Sequence, residues 1–130
     1  VSTNSSITVK QGKIYKNIYC HWDGYPSYNG KMLLQHYNSQ EGADSLVDNG
    51  NISTLKESVA CPEGHSFETP ADKHTVFYGR DRGEENQEAK VFDNFKEAII
   101  SNSQEYDYYW DGEKWWVDNK ILTQEIINND

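Results

Sequence analysis

The segment from Glu105 to Val117 constrains the fold more than any other part of the chain. Tyr106-Asp107-Tyr108-Tyr109-Trp110 and Trp115-Trp116-Val117 flank Asp111-Gly112, a pair that favours a tight turn, so the spacing predicts a β-hairpin. Strand alternation places Tyr106, Tyr108 and Trp110 on one face, and Glu105, Asp107 and Tyr109 on the other. Only 35% of the 130 residues are apolar, but four Trp, nine Tyr and four Phe each bury large areas. The expected core is therefore small and aromatic, built around this hairpin.

Upstream, Ile7-Thr8-Val9 and Ile14 onward read as a hairpin turning near Gly12. In its second strand Ile14, Lys16, Ile18, Cys20 and Trp22 share a core face, and Tyr15, Asn17, Tyr19 and His21 share the other. Asp23-Gly24-Tyr25-Pro26 ends that strand, since proline cannot extend a ladder. Ser27 is placed to cap a helix over Tyr28 to Tyr37, and a second helix is predicted from Glu41 to Asp48, stopped near Gly50. A short helix over Ser53 to Val59 would relieve an otherwise long irregular crossover. Thr75 to Tyr78 reads as a strand, Arg80 to Glu85 as a charged loop, and Lys90 to Phe92 as a returning strand. Asp93 is a predicted cap for a helix over Asn94 to Ser101, with Phe95, Ala98 and Ile99 inward. Ile121 to Thr123 suits either an outer strand or the start of a helical tail. The whole predicts one α+β domain spanning 1–130, a mainly antiparallel sheet with two to four helices packed on it, frayed at 1–5 and 126–130.

The net charge is −9, divided as +3 over residues 1–31 and −12 over 32–130. An acidic body repels phosphate backbones, so nucleic acid is not an expected partner. No run approaches the roughly 18 apolar residues that cross a bilayer, so no membrane span is expected. Two cysteines are too few for a disulfide scaffold and point to a cytoplasmic setting. Cys61-Pro62-Glu63-Gly64-His65 lacks the paired cysteines of a zinc motif, and no glycine-rich phosphate loop is present, so neither metal nor cofactor is expected and no catalytic residue is assigned.

Three places could carry chemistry. His21 and Asp23 stand two apart at a strand end beside Tyr25, where they either reach one ligand or simply build the turn. Arg80-Asp81-Arg82-Gly83-Glu84 holds the chain's only arginines, and either clamps an anion or neutralises itself as a solvated loop. Tyr109, Trp110 and Trp116, rimmed by Glu105, Asp107 and Asp111, either form a protein-binding patch or lie under helices on the sheet's second face.

Cys20-His21-Trp22-Asp23-Gly24-Tyr25-Pro26, Gly30 to Tyr37, Phe77 to Glu84 and Tyr108 to Gly112 form a set spread over residues 14–117. This set resembles a family of small proteins associated with bacteriophages, prophages and mobile elements, for which no activity is established. It departs from that family at Ile52 to Glu57, where a glycine would follow the leucine. The resemblance implies a bacterial cytoplasmic setting and action by occupying a host protein surface, as anti-defence and host-takeover factors do. The first expectation is accordingly a non-enzymatic accessory protein that binds a host protein through Glu105, Asp107, Tyr109, Trp110 and Trp116. The rival is a site for a phosphate-bearing small molecule, or a hydrolase, joining His21, Asp23 and Tyr25 to Arg80, Asp81, Arg82 and Glu84.

Overall fold

A computed structural model describes residues 2–130. Strand β1 (Ser5–Gln11) and strand β2 (Ile14–Trp22) form the first hairpin, in a register running from Ser5 opposite Cys20 to Gln11 opposite Ile14. Gly12, at φ +63°, opens its two-residue turn, a conformation that an L side chain resists. A π-helical turn (Pro26–Gly30) leads into α1 (Lys31–His36), followed by α2 (Gln40–Val47), β3 (Ile52–Thr54), β4 (Val76–Phe77) and α3 (Tyr78–Arg82). After these come β5 (Lys90–Phe92), α4 (Phe95–Ser101), β6 (Tyr106–Trp110), β7 (Trp115–Val117), β8 (Lys120–Ile121) and α5 (Gln124–Asn128).

The strands form one sheet in the order β4-β3-β2-β1-β6-β7-β8. On the edge of β2 away from β1, β5 pairs with residues 15–17 and β3 pairs with residues 20–22. The expected α+β class is observed, and most pairings are antiparallel. The pairings of β1 with β6 and of β2 with β3 run parallel. Parallel neighbours need crossover connections, and the helices supply them.

The inward face of the sheet carries Ile7, Val9, Ile18, Cys20, Ile52, Phe77, Tyr108, Trp110, Trp115 and Val117, all buried. Leu33, Tyr37, Ala43, Leu46, Val47, Leu122 and Ile127 cover it from α1, α2 and the C-terminal segment. Burial of each large side chain contributes about 1.5–3 kcal/mol. Two indoles also place their N–H groups: Trp115 donates to the Tyr37 carbonyl at 3.0 Å, and Trp110 to Gln40 Oε1 at 2.9 Å. The opposite face carries Ser6, Thr8, Asn17, Tyr15, Tyr109 and Trp116, and α4 lies across part of it. There Phe95 meets Tyr109 in a tilted contact at 4.4 Å between ring centres and meets Tyr15 edge-on at 6.0 Å.

Several local expectations are corrected. The helix expected over Ser53 to Val59 is instead β3 and an irregular segment, because the open edge of β2 offers Ile52 and Thr54 backbone partners. The segment from Arg80 is helical as α3, ended by Gly83 at φ +76°. Ser27 caps nothing, since Pro26 starts the π-helical turn. Asn94, not Asp93, caps α4 through Glu97 N–H. Five short helices are present among the described residues where two to four were expected. Ile121 and Thr123 do both things foreseen: Ile121 ends β8 and Thr123 caps α5. At the ends expected to fray, Ser5 lies fully buried in β1 and Ile127 packs into the core.

Gly24 marks the tightest junction. A Cβ there would stand 2.9 Å from the Thr3 carbonyl oxygen, the Asn4 carbonyl carbon and Ser5 Cβ. Gly24 N–H also donates to the Thr3 carbonyl at 2.7 Å, and its own carbonyl accepts the buried Tyr108 hydroxyl at 2.7 Å. Gly24→Ala is expected to cost about 1–3 kcal/mol, read as a lower urea midpoint with an unchanged slope. An unaltered midpoint would mean that β1 and the Asp23–Tyr25 turn are not packed this closely.

Candidate functional site

Chemistry at the Cys20–Pro26 motif is absorbed by folding. Cys20 is buried, and Asn29 Nδ2 donates to both its sulfur at 3.3 Å and Ser5 Oγ at 3.1 Å. Burial pushes the thiol up to about 12, so it is not a nucleophile. His21 Nδ1 meets the Tyr19 hydroxyl at 2.7 Å, and no hydrogen bond among the described residues joins His21 to Asp23. The carbonyls of Asp23 and Tyr25 accept the Asn29 N–H, and that of Tyr25 also accepts the Tyr28 N–H, closing the turn.

The arginine segment is likewise spent on structure. Asp81 and His65 have fully buried side chains 3.2 Å apart. His65 Nδ1 accepts the Ala71 N–H at 2.9 Å, so its Nε2 carries the hydrogen and faces Asp81 Oδ2 and the Thr75 carbonyl. Arg80 grips Asp81 through Nε at 2.8 Å and Nη2 at 3.1 Å, and donates to the Val59 and Thr75 carbonyls. Arg82 lies over the Phe67 ring at 4.4 Å and pairs with Glu84 at 3.5 Å. These contacts pin the 61–75 segment onto α3. The shallow groove that Arg80 and Glu84 line, with Asp48, Gly79 and Gln87, contains neither His21 nor Asp23. The Arg80 fork is already filled, so this arrangement does not favour an anion clamp. Cys61 is exposed, its sulfur 3.9 Å from Asp81 Oδ1, and shares no ligand set with the buried Cys20.

The third place remains open. Because α4 has only seven residues, it covers the second sheet face over β2 and reaches only the margin of β6 and β7. A groove of about 580 Å³ lies between them, walled by Phe95, Lys96, Ile99 and Ile100 and lined by Tyr109, Trp116, Asp107, Asp111, Asp118 and Asn119. Tyr109 and Trp116 are direct cross-strand partners on this face, and both line the floor of the groove. Phe95 and Ile100 are 39% and 68% exposed, which leaves the wall apolar and wet.

The carboxylates here are positioned by backbone and side-chain donors. Asp111 Oδ2 accepts the Trp116 indole N–H at 2.8 Å, while Oδ1 accepts the Glu113 and Lys114 amides. Burial alone would raise Asp111, but these three bonds hold it below the ordinary carboxylate value. Asp118 is held above that value by burial and by the adjacent Asp107 charge, against the bond it accepts from Asp107 N–H at 3.0 Å. Burial, with Tyr15 and Asp111 adding to it, pushes the Tyr109 hydroxyl up to about 12, so it stays an uncharged donor.

Of the residues expected in a protein-binding patch, Asp107, Tyr109 and Trp116 come together here. Glu105 is exposed but outside the lining, and Trp110 is corrected outright: it is 2% exposed on the core face with its N–H held by Gln40. Asp111, expected in the acidic rim, also lines the groove, whereas Ile99, Ile100 and Asp118 were not foreseen as site residues. For the two isoleucines the signal was present in the pair Ile99-Ile100, which carries the apolar stripe of α4 one position beyond its buried arc.

The Asp81 cluster makes an acid-sensitive prediction. Burial would raise this carboxyl, but Arg80 and the Phe77 N–H bring it below its ordinary value. A depressed folded-state value stabilises the fold above the unfolded-state value, and that stabilisation is lost as pH falls through the folded one. Asp81→Asn should therefore cost on the order of 3 kcal/mol at pH 7, with the gap to wild type narrowing below about pH 4. Urea titrations at a series of pH values read this directly, and a pH-independent gap would contradict it.

Comparison of the chain with protein-family models, with curated proteins and with solved structures finds no match in any of the three.

Proposed function

We propose that this domain is a non-enzymatic binding module that holds a protein partner in the groove between α4 and the β6–β7 hairpin. The observation that carries the reading is the floor of Tyr109 and Trp116 beside the exposed wall of Phe95 and Ile100. Large, rigid rings fixed in an apolar depression and ringed by polar groups are what partner proteins bind most strongly. Asp111 fixes the Trp116 indole before any partner arrives, so little side-chain freedom is lost on association. The resemblance to phage-associated proteins favours a host protein in the bacterial cytoplasm as the partner. Among the described residues no helix is long and apolar enough to cross a membrane, which is compatible with that setting.

The small-molecule alternative at His21, Asp23, Tyr25, Arg80, Asp81, Arg82 and Glu84 has less support, because its strongest anion-binding group already holds Asp81 and two carbonyls.

Substitutions on the two faces of the same hairpin separate binding from folding. Trp116→Ala and Tyr109→Ala are expected to abolish capture of a stoichiometric partner from a bacterial extract while leaving the far-ultraviolet circular dichroism intact. Trp110→Ala should instead destabilise the domain by about 3–5 kcal/mol. Capture that survives both groove substitutions would sink the proposal.

A further inference from the structure

We propose that the segment received by this groove carries a lysine or arginine next to one large apolar side chain, with the cation seated beside Asp118 and Trp116. This rests on the reading of the groove as the binding surface and adds the chemistry of what it takes. Three carboxylates, Asp107, Asp111 and Asp118, line the groove against the single base Lys96. Among the described residues none of the three forms an ion pair, and Lys114 near Asp111 and Lys120 near Asp118 offset their charge only in part, from outside the groove lining.

Their remaining hydrogen-bonding capacity is unequal. Asp107 uses both oxygens, accepting from Ser6 Oγ, Gln104 N–H and Ser103 Oγ. Asp111 uses both on Trp116 and its own turn. Asp118 uses only Oδ1, and its Oδ2 accepts no hydrogen bond among the described residues. An incoming cationic donor therefore finds a charged acceptor with a vacant lone pair at this position. Trp116 next to it offers the ring type that attracts such a cation best, and the aliphatic stem of Lys or Arg suits an apolar wall. The neighbouring apolar side chain of the segment would cover Phe95, Ile99 and Ile100. An acidic segment would meet like charge here and on a chain of net −9, so the same carboxylates also select against it.

Selection from a random peptide library, run in parallel on wild type and Trp116→Ala, tests both levels. Peptides retained by wild type alone are groove-dependent, and the tightest is resynthesised with its basic residue replaced by norleucine. Asp118→Asn supplies a second arm, since asparagine tolerates the φ of +46° at this turn and keeps the bond from Asp107 N–H while removing the charge. The expected result is groove-dependent peptides that share Lys or Arg beside an aliphatic or aromatic residue. Roughly tenfold weaker binding is expected for the norleucine peptide, and about threefold to tenfold weaker binding of the basic peptide to Asp118→Asn. Groove-dependent peptides that bind equally well with norleucine would overturn the basic-segment proposal and leave the groove as the binding surface. A selection yielding nothing that depends on Trp116 would overturn both.

Discussion

Everything in this fold hangs on β1 being held between β2 and β6. Residues 5–9 are buried on both faces, and Ser5 to Val9 run parallel to Tyr106 to Trp110. That pairing brings together parts of the chain a hundred residues apart, which makes the sheet a product of non-local contacts and implies slower folding than a helical domain of this size. The polar side chains on the second face of β1 are satisfied inside the sheet. Thr8 Oγ1 accepts from Asn17 Nδ2 at 2.7 Å, and the Ser6 hydroxyl donates to Asp107 Oδ1 at 2.7 Å. A buried central strand carrying Ser, Ser and Thr is tolerable only because each hydroxyl has a partner.

The same strand links the motif with the richest chemistry to the hairpin that forms the groove. Gly24 abuts the entry to β1 and accepts the Tyr108 hydroxyl, while Asn29 joins Ser5 to Cys20. These residues read as reactive when taken singly, but together they lock a corner where two strands and a turn meet. Likewise His65, Arg80 and Asp81 hold a loop that has few apolar residues of its own. In both places polar groups that might face a ligand face one another, whereas Tyr109 and Trp116 line a groove whose Phe95 and Ile100 wall stays exposed.

Legibility followed the range of the forces involved. Alternation placed Ile18 and Cys20 on the core face of β2, and sorted Tyr108 from Tyr109 correctly, because each strand's pleat is a local property. Alternation also put Trp110 with Tyr108, and its assignment to a binding surface ran against that pattern. Helix α4 was legible from Phe95, Ala98 and Ile99, and its cap was off by one residue because Asp93 and Asn94 are both competent. What could not be read was pairing between strands distant in sequence. Ile52-Ser53-Thr54 becomes a strand because β2 has an open edge and because Asn51 links Tyr19, Tyr78 and Gln87, none of which is near it in sequence. The groove was half legible for the same reason: its floor comes from one hairpin, but its wall depends on where α4 lands.

Which tryptophans face solvent tests this sorting of the sheet into a packed face and a partly open one. In 5-fluorotryptophan-labelled protein, the four fluorine resonances can be followed against a soluble paramagnetic relaxation agent. Trp22, expected on the core face but 38% exposed at the end of β2, should broaden together with Trp116, while Trp110 and Trp115 stay sharp. Protection of Trp116 equal to that of Trp115, or broadening of Trp110, would contradict the account.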